Sequence, residues 1–99
     1  MSRLAALQKF LEQDPNDSFT RYAIGLEYAK EKNFNKAAKF FQQAVTTCPF
    51  YEESHYKLGL ALMKEGQKKV AKTEFQKLIE RHKTGPYVER SQEVLKYLQ

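Results

Sequence analysis

Residues of this chain recur in kind at a shift of 34 positions, and no other feature limits its fold so tightly. Gly25 and Gly59 lie 34 apart, and at the same shift Tyr22 falls on Tyr56, Leu26 on Leu60, Lys30 on Lys64 and Glu31 on Glu65. Further along, Ala37 falls on Ala71, Phe41 on Phe75 and Gln42 on Gln76, with Thr20/Ser54, Ile24/Leu58 and Val45/Ile79 as conservative pairs. Small residues fall on small ones and rings on rings. One structural unit therefore occurs twice.

Each unit reads as two helices. Asp17 or Ser18 can cap the first, and Ile24, Tyr28 and their neighbours follow at helical spacing. Asn33 then breaks and recaps the chain; Phe34, Ala37, Ala38, Phe41, Ala44 and Val45 mark the second helix, which Pro49 closes. Unit two repeats the plan with Tyr56, Leu58 and Leu62, a turn at Gly66, then Val70, Ala71, Phe75, Leu78 and Ile79. Helix formers dominate, prolines number three and glycines four, so an all-α fold is expected. Ninety-nine residues suit a single domain. A glycine inside a helix costs about 1 kcal/mol relative to alanine, so Gly25 and Gly59 need a reason. Close approach of the partner helix at Ala37 and Ala71 supplies one.

The pattern resembles the tetratricopeptide repeat family, W-x2-L-G-x2-Y, then A-x3-F, then P. Unit one reads Arg21-x2-Ile24-Gly25-x2-Tyr28, Ala37-x3-Phe41 and Pro49; unit two reads His55-x2-Leu58-Gly59-x2-Leu62 and Ala71-x3-Phe75. Arg21 and His55 depart from the aromatic, Leu62 from the tyrosine, and Lys83 from the closing proline. The resemblance covers roughly residues 14–85. It implies an α-solenoid of two antiparallel helix-hairpin repeats, 18–51 and 52–85, between a half-repeat helix at 3–13 and a capping helix at 86–98. About six helices result. Leu4, Leu7, Phe10 and Leu11 make the stripe of the first; Tyr87, Ser91, Val94, Leu95 and Leu98 make that of the last.

No residue pattern carries chemistry. The four glycines are scattered, and no HExxH, CxxC or nucleophile elbow occurs. His55 occupies a packing position, His82 a helix end, and Cys48 a small filler's place, so neither catalysis, a metal nor a cofactor is expected. The acidic residues are mostly interleaved with lysines, as on a solvated face; Glu52-Glu53 sits at a helix start, where negative charge is favoured. A single cysteine forms no intrachain disulfide and the N-terminus carries no secretory apolar run, so a reducing cytoplasm is the expected compartment. No apolar run reaches the ~18 residues of a membrane span, and the Asn16-Asp17-Ser18 sequon reads as a cap.

Two surfaces are candidates for binding. In the resembled family the first helix of each repeat lines a concave groove. Carried over by position, its residues are Phe19, Tyr22, Leu26, Ala29 and Lys30, then Glu53, Tyr56, Leu60, Met63 and Lys64. Tyrosine and methionine suit contact with a peptide or helix of a partner protein. A groove that captures C-terminal carboxylates would need lysine and asparagine at Tyr22, Leu26 and Lys57; only Lys57 is basic. The competing occupant is a second copy of the chain, since two repeats are fewer than the three usually needed for stability. The other surface is a lysine-rich edge at the two helix–helix turns, with Lys30, Lys32, Lys36 and Lys39 at the first and Lys64, Lys68, Lys69 and Lys72 at the second. It would suit an acidic partner or a nucleic acid, but no aromatics stand free there for stacking, and a solvated edge is the expectation.

Overall fold

Six α-helices and no strand make up the described residues, 2–98, of the computed structural model. They are α1 (Arg3–Gln13), α2 (Ser18–Lys30), α3 (Phe34–Thr47), α4 (Glu52–Lys64), α5 (Lys68–His82) and α6 (Pro86–Leu98). Each packs on the next, and α4 also touches α6. The result is an α-solenoid with principal extents of 41 × 24 × 18 Å.

The helix boundaries follow from local chemistry. Asp17 caps α2, its carboxylate accepting from the Phe19 N–H and the Thr20 hydroxyl; Asn33 caps α3 by accepting from the Lys36 N–H. No side chain caps α4, whose first turn instead holds Glu52 and Glu53, carboxylates that complement the positive end of the helix. Both first helices stop in the same way. The Asn33 N–H donates to the Tyr28 carbonyl and Lys32 to Ala29; in unit two Gln67 donates to Leu62 and Gly66 to Met63. This stop needs a left-handed residue. Gly66 supplies it at φ +84°, whereas Lys32, at φ +61°, does so with a side chain attached. Lys32→Gly is therefore expected to stabilise the fold by about 0.5–1 kcal/mol, and Gly66→Ala to destabilise it by a similar amount. Paired urea melts would read both.

The core runs along the solenoid through Ala37, Ala38, Phe41, Ala44, Val45, Leu58, Ala61, Leu62, Ala71 and Phe75. One expectation needs correction. Ala37 and Ala71 are fully buried, but the neighbour that Gly25 accommodates is a ring. A Cβ on Gly25 would lie 2.6 Å from Cε1 of Phe41, and one on Gly59 would lie 2.6 Å from Cε1 of Phe75. Glycine thus meets the phenylalanine one turn beyond the alanine. Val70 also departs from its expected packing role and is half exposed at the start of α5.

The end helices differ. Helix α1 buries no residue fully and leaves Phe10 exposed. Helix α6 buries Val88 and Ser91, and lays Val94, Leu95 and Leu98 against the core. The stripe named from the sequence begins at Tyr87, although Val88 stands three residues before Ser91 and seven before Leu95, at helical spacing with both.

Candidate binding face

The first helices α2, α4 and α6 supply the residues of the candidate groove. At the shift of 34, Glu53 falls on Tyr87 and Leu60 on Val94, so α6 extends the series. Contact confirms the neighbourhood: Tyr56 in α4 packs against Tyr87 in α6 with ring centroids 5.5 Å apart, and against Phe75 beneath it at 5.9 Å. Leu26, Ala29, Leu60 and Met63 are half-buried, their inner sides on the core. Lys30 and Lys64 are exposed at the far ends of α2 and α4, and Lys30 pairs with Glu27 at 3.1 Å. Tyr22 is only 8% exposed. It packs on Phe41 at 5.6 Å, so it serves the core as much as the face.

At the other end of the strip lies a notch of about 100 Å³, lined by Ser18, Phe19, Tyr22, Tyr51, Glu53 and Ser54. Phe19 and Tyr51 are 68% and 55% exposed. The Tyr87 hydroxyl donates to Oε1 of Glu53 at 2.9 Å. That hydrogen bond, then burial and the carboxylate's charge, raise the Tyr87 hydroxyl above the ordinary tyrosine value, with Arg90 opposing. Burial first, and the neighbouring Glu53 second, push the Tyr22 hydroxyl higher still. The Tyr87 hydroxyl therefore stays a neutral donor to Glu53, and the Tyr22 hydroxyl stays neutral nearby. The sequence reading placed Glu53 in the strip but missed Tyr51 and the role of Tyr87; the signal available was the cluster of aromatics immediately before α4.

A second polar cluster lies between α4 and α5. His55 Nδ1 is 2.8 Å from Oε2 of Glu74, and Nε2–H donates to the Pro49 carbonyl at 2.8 Å. Both side chains are buried, so Glu74 is an exception to the solvated acidic face expected from sequence. In unit one the matching position, Arg21, reaches the carbonyl of Pro15; Pro15 and Pro49 are themselves 34 apart. Arg21 and His55, the two departures from the family's aromatic, thus do the same work. Each ties a first helix to the proline turn before it.

The lysines of the candidate basic edge lie around the two helix–helix turns. Asn35 Nδ2 donates to Oε2 of Glu65 at 3.0 Å, which brings the two turns side by side. Lys32, Lys36, Lys39, Lys68 and Lys69 are exposed and Lys72 is half-buried. Lys36 lies over the Tyr28 ring at 5.4 Å, and Phe40 stacks on the same ring at 5.7 Å, so the nearby aromatics are occupied. Among the described residues no group of three or more His, Cys, Asp or Glu could hold a metal ion, and no helix is long and apolar enough to cross a membrane.

Two models of the tetratricopeptide repeat match the chain, over residues 20–51 and 53–84. No curated protein sequence matches it. Among solved structures, the chain is similar to YrrB, described as a TPR protein with an unusual peptide-binding site, at 28% identity and a TM-score of 0.74. That likeness covers 81% of this chain and 41% of YrrB. An O-GlcNAc transferase of Thermobaculum terrenum is 26% identical, TM-score 0.73, over 80% of this chain but 15% of its own. The protein BPP2914 of Bordetella parapertussis shares the fold at 21% identity with a TM-score of 0.82, covering 99% of this chain and 88% of that one. The chain thus spans less than half the length of the first two.

Proposed function

The chain belongs to the tetratricopeptide repeat family, whose arrays are protein–protein interaction modules, and on that premise we propose that it holds a peptide or helix of a partner protein along the face of α2 and α4 and performs no chemistry. Stacked hairpins curve, and the curve gives repeat proteins an extended binding surface. The observation that carries the reading is the state of the strip itself. Leu26, Leu60 and Met63 rest on the core yet are not closed off, and Phe19 stands exposed beside them. Helix α6 meets the strip in unit two, where Tyr87 packs on Tyr56. The rest is open to a ligand, and apolar side chains half in water gain when one covers them.

The test uses peptides selected from a random phage-displayed library on the immobilised protein. A selected peptide is expected to shift the backbone amides of α2 and α4, and Leu60→Asp should weaken it at least tenfold while the helical circular dichroism is retained. Leu60 suits this purpose better than Tyr22, whose burial couples binding to stability. Shifts confined to α3 and α5 would sink the proposal. So would a strip already filled by a second copy, seen as a dimer by light scattering that Leu60→Asp converts to monomer.

A further inference from the structure

The notch between the starts of α2 and α4 is lined by aromatic rings and by one exposed carboxylate, Glu53. We propose that it is a subsite for a side-chain cation, a lysine or arginine of the segment bound along the strip. The inference rests on reading that strip as the binding face, and it names the chemistry that one end selects.

At about 100 Å³ the notch falls below the ~300–1,000 Å³ of pockets that take whole small molecules, and its scale is that of one side chain. Phe19, Tyr22 and Tyr51 line it, and ring faces attract cations through their quadrupoles. Glu53 completes it with a carboxylate that the fold compensates only by the start of α4 and by a neutral donor, the Tyr87 hydroxyl at 2.9 Å. No cation among the described residues lies within ion-pair distance of Glu53. Arg90 lies over the Tyr87 ring, 5.2 Å from its centroid. An apolar occupant would strip water from Glu53 and give nothing back; an acidic one would meet like charge. A lysine or arginine satisfies both the rings and the carboxylate. Lys30 and Lys64, exposed at the opposite ends of α2 and α4, make the strip charge-polarised, so the anionic end is where a basic residue is directed.

The experiment titrates the isotope-labelled full chain with N-acetyl-lysine methylamide, its arginine counterpart and the uncharged N-acetyl-norleucine methylamide, following backbone amides by NMR. The two cationic probes are expected to shift Phe19, Tyr51 and Glu53 saturably, and norleucine is expected to bind at least fivefold more weakly. Glu53→Gln, which keeps an oxygen for Tyr87, should weaken lysine at least fivefold, and Phe19→Ala should weaken it separately. Equal binding of norleucine, no saturable shift at the notch, or a Glu53→Gln variant that binds lysine within twofold of the parent would each overturn the subsite. A library peptide still captured by that variant at full strength would leave the strip standing and the subsite refuted. Saturable lysine binding at the notch with no peptide ever selected would refute the strip instead.

Discussion

Truncating Phe41 to alanine is expected to destabilise the protein by about 3–5 kcal/mol, the range for a large ring removed from a core. The ring is 1% exposed and lies on Tyr22 and on the bare backbone of Gly25, so on the Gly25 side no side chain is present to fill the void. A domain of this size has roughly 5–15 kcal/mol of stability in all, and its melting temperature moves by about 4–8 °C per kcal/mol. A drop of about 12 °C or more should therefore appear in thermal circular dichroism, if the variant folds at all. Phe40→Ala is the control. Its ring is half-buried and stacks on Tyr28, so a clearly smaller drop is expected. Gly25→Ala probes the same contact from the other side. Alanine gains about 1 kcal/mol of helix propensity, but its Cβ drives into the Phe41 ring, an overpacking cost of about 1–3 kcal/mol. The glycine-on-ring account fails if Gly25→Ala raises the melting temperature, or if Phe41→Ala costs no more than Phe40→Ala.

Removing Glu74 alone should cost about 1–3 kcal/mol, since Glu74→Ala leaves His55 Nδ1 buried without its partner. Removing both members should cost far less. Replacing both partners of a buried hydrogen bond by apolar groups of similar shape can be nearly neutral or stabilising, and unit one carries an apolar residue at the matching position, since Phe40 lies 34 residues before Glu74. His55→Phe with Glu74→Leu is thus expected to recover most of the loss, giving a coupling in a double-mutant cycle of about 1–3 kcal/mol. Additive effects within about 0.5 kcal/mol would show that the pair does not act as a unit.

The two predictions mark where reading the chain succeeds and where it stops. The hairpins, their register and the cap residues Asp17 and Asn33 were legible because each depends on local sequence: helical spacing, a side chain reaching three residues on, a residue that breaks the turn. The pairing of units was legible because a repeat places equivalent residues in equivalent environments. Glu74 stands at the spacing of the buried stripe, three residues after Ala71 and four before Leu78, but its charge argues for water; only the packing of α5 on α4 shows His55 facing it. Val70 was misread for the converse reason, since an apolar residue in the first turn of a helix can overhang the core it would otherwise enter.

The face followed the same division. Matching positions proposed Phe19, Leu26, Leu60 and Met63 for the face, but could not say that Tyr22 packs on Phe41 or that Tyr87 comes back 34 residues later to donate to Glu53. By itself the order of residues determined the helices, the number of repeats and the side of each hairpin that meets its neighbour, because these are set by periodicity and by contacts close along the chain. Only the tertiary structure decided which ring fills each glycine's gap, which acid is buried and which carboxylate faces an aromatic notch. Those outcomes depend on distances between helices that sequence separation does not encode.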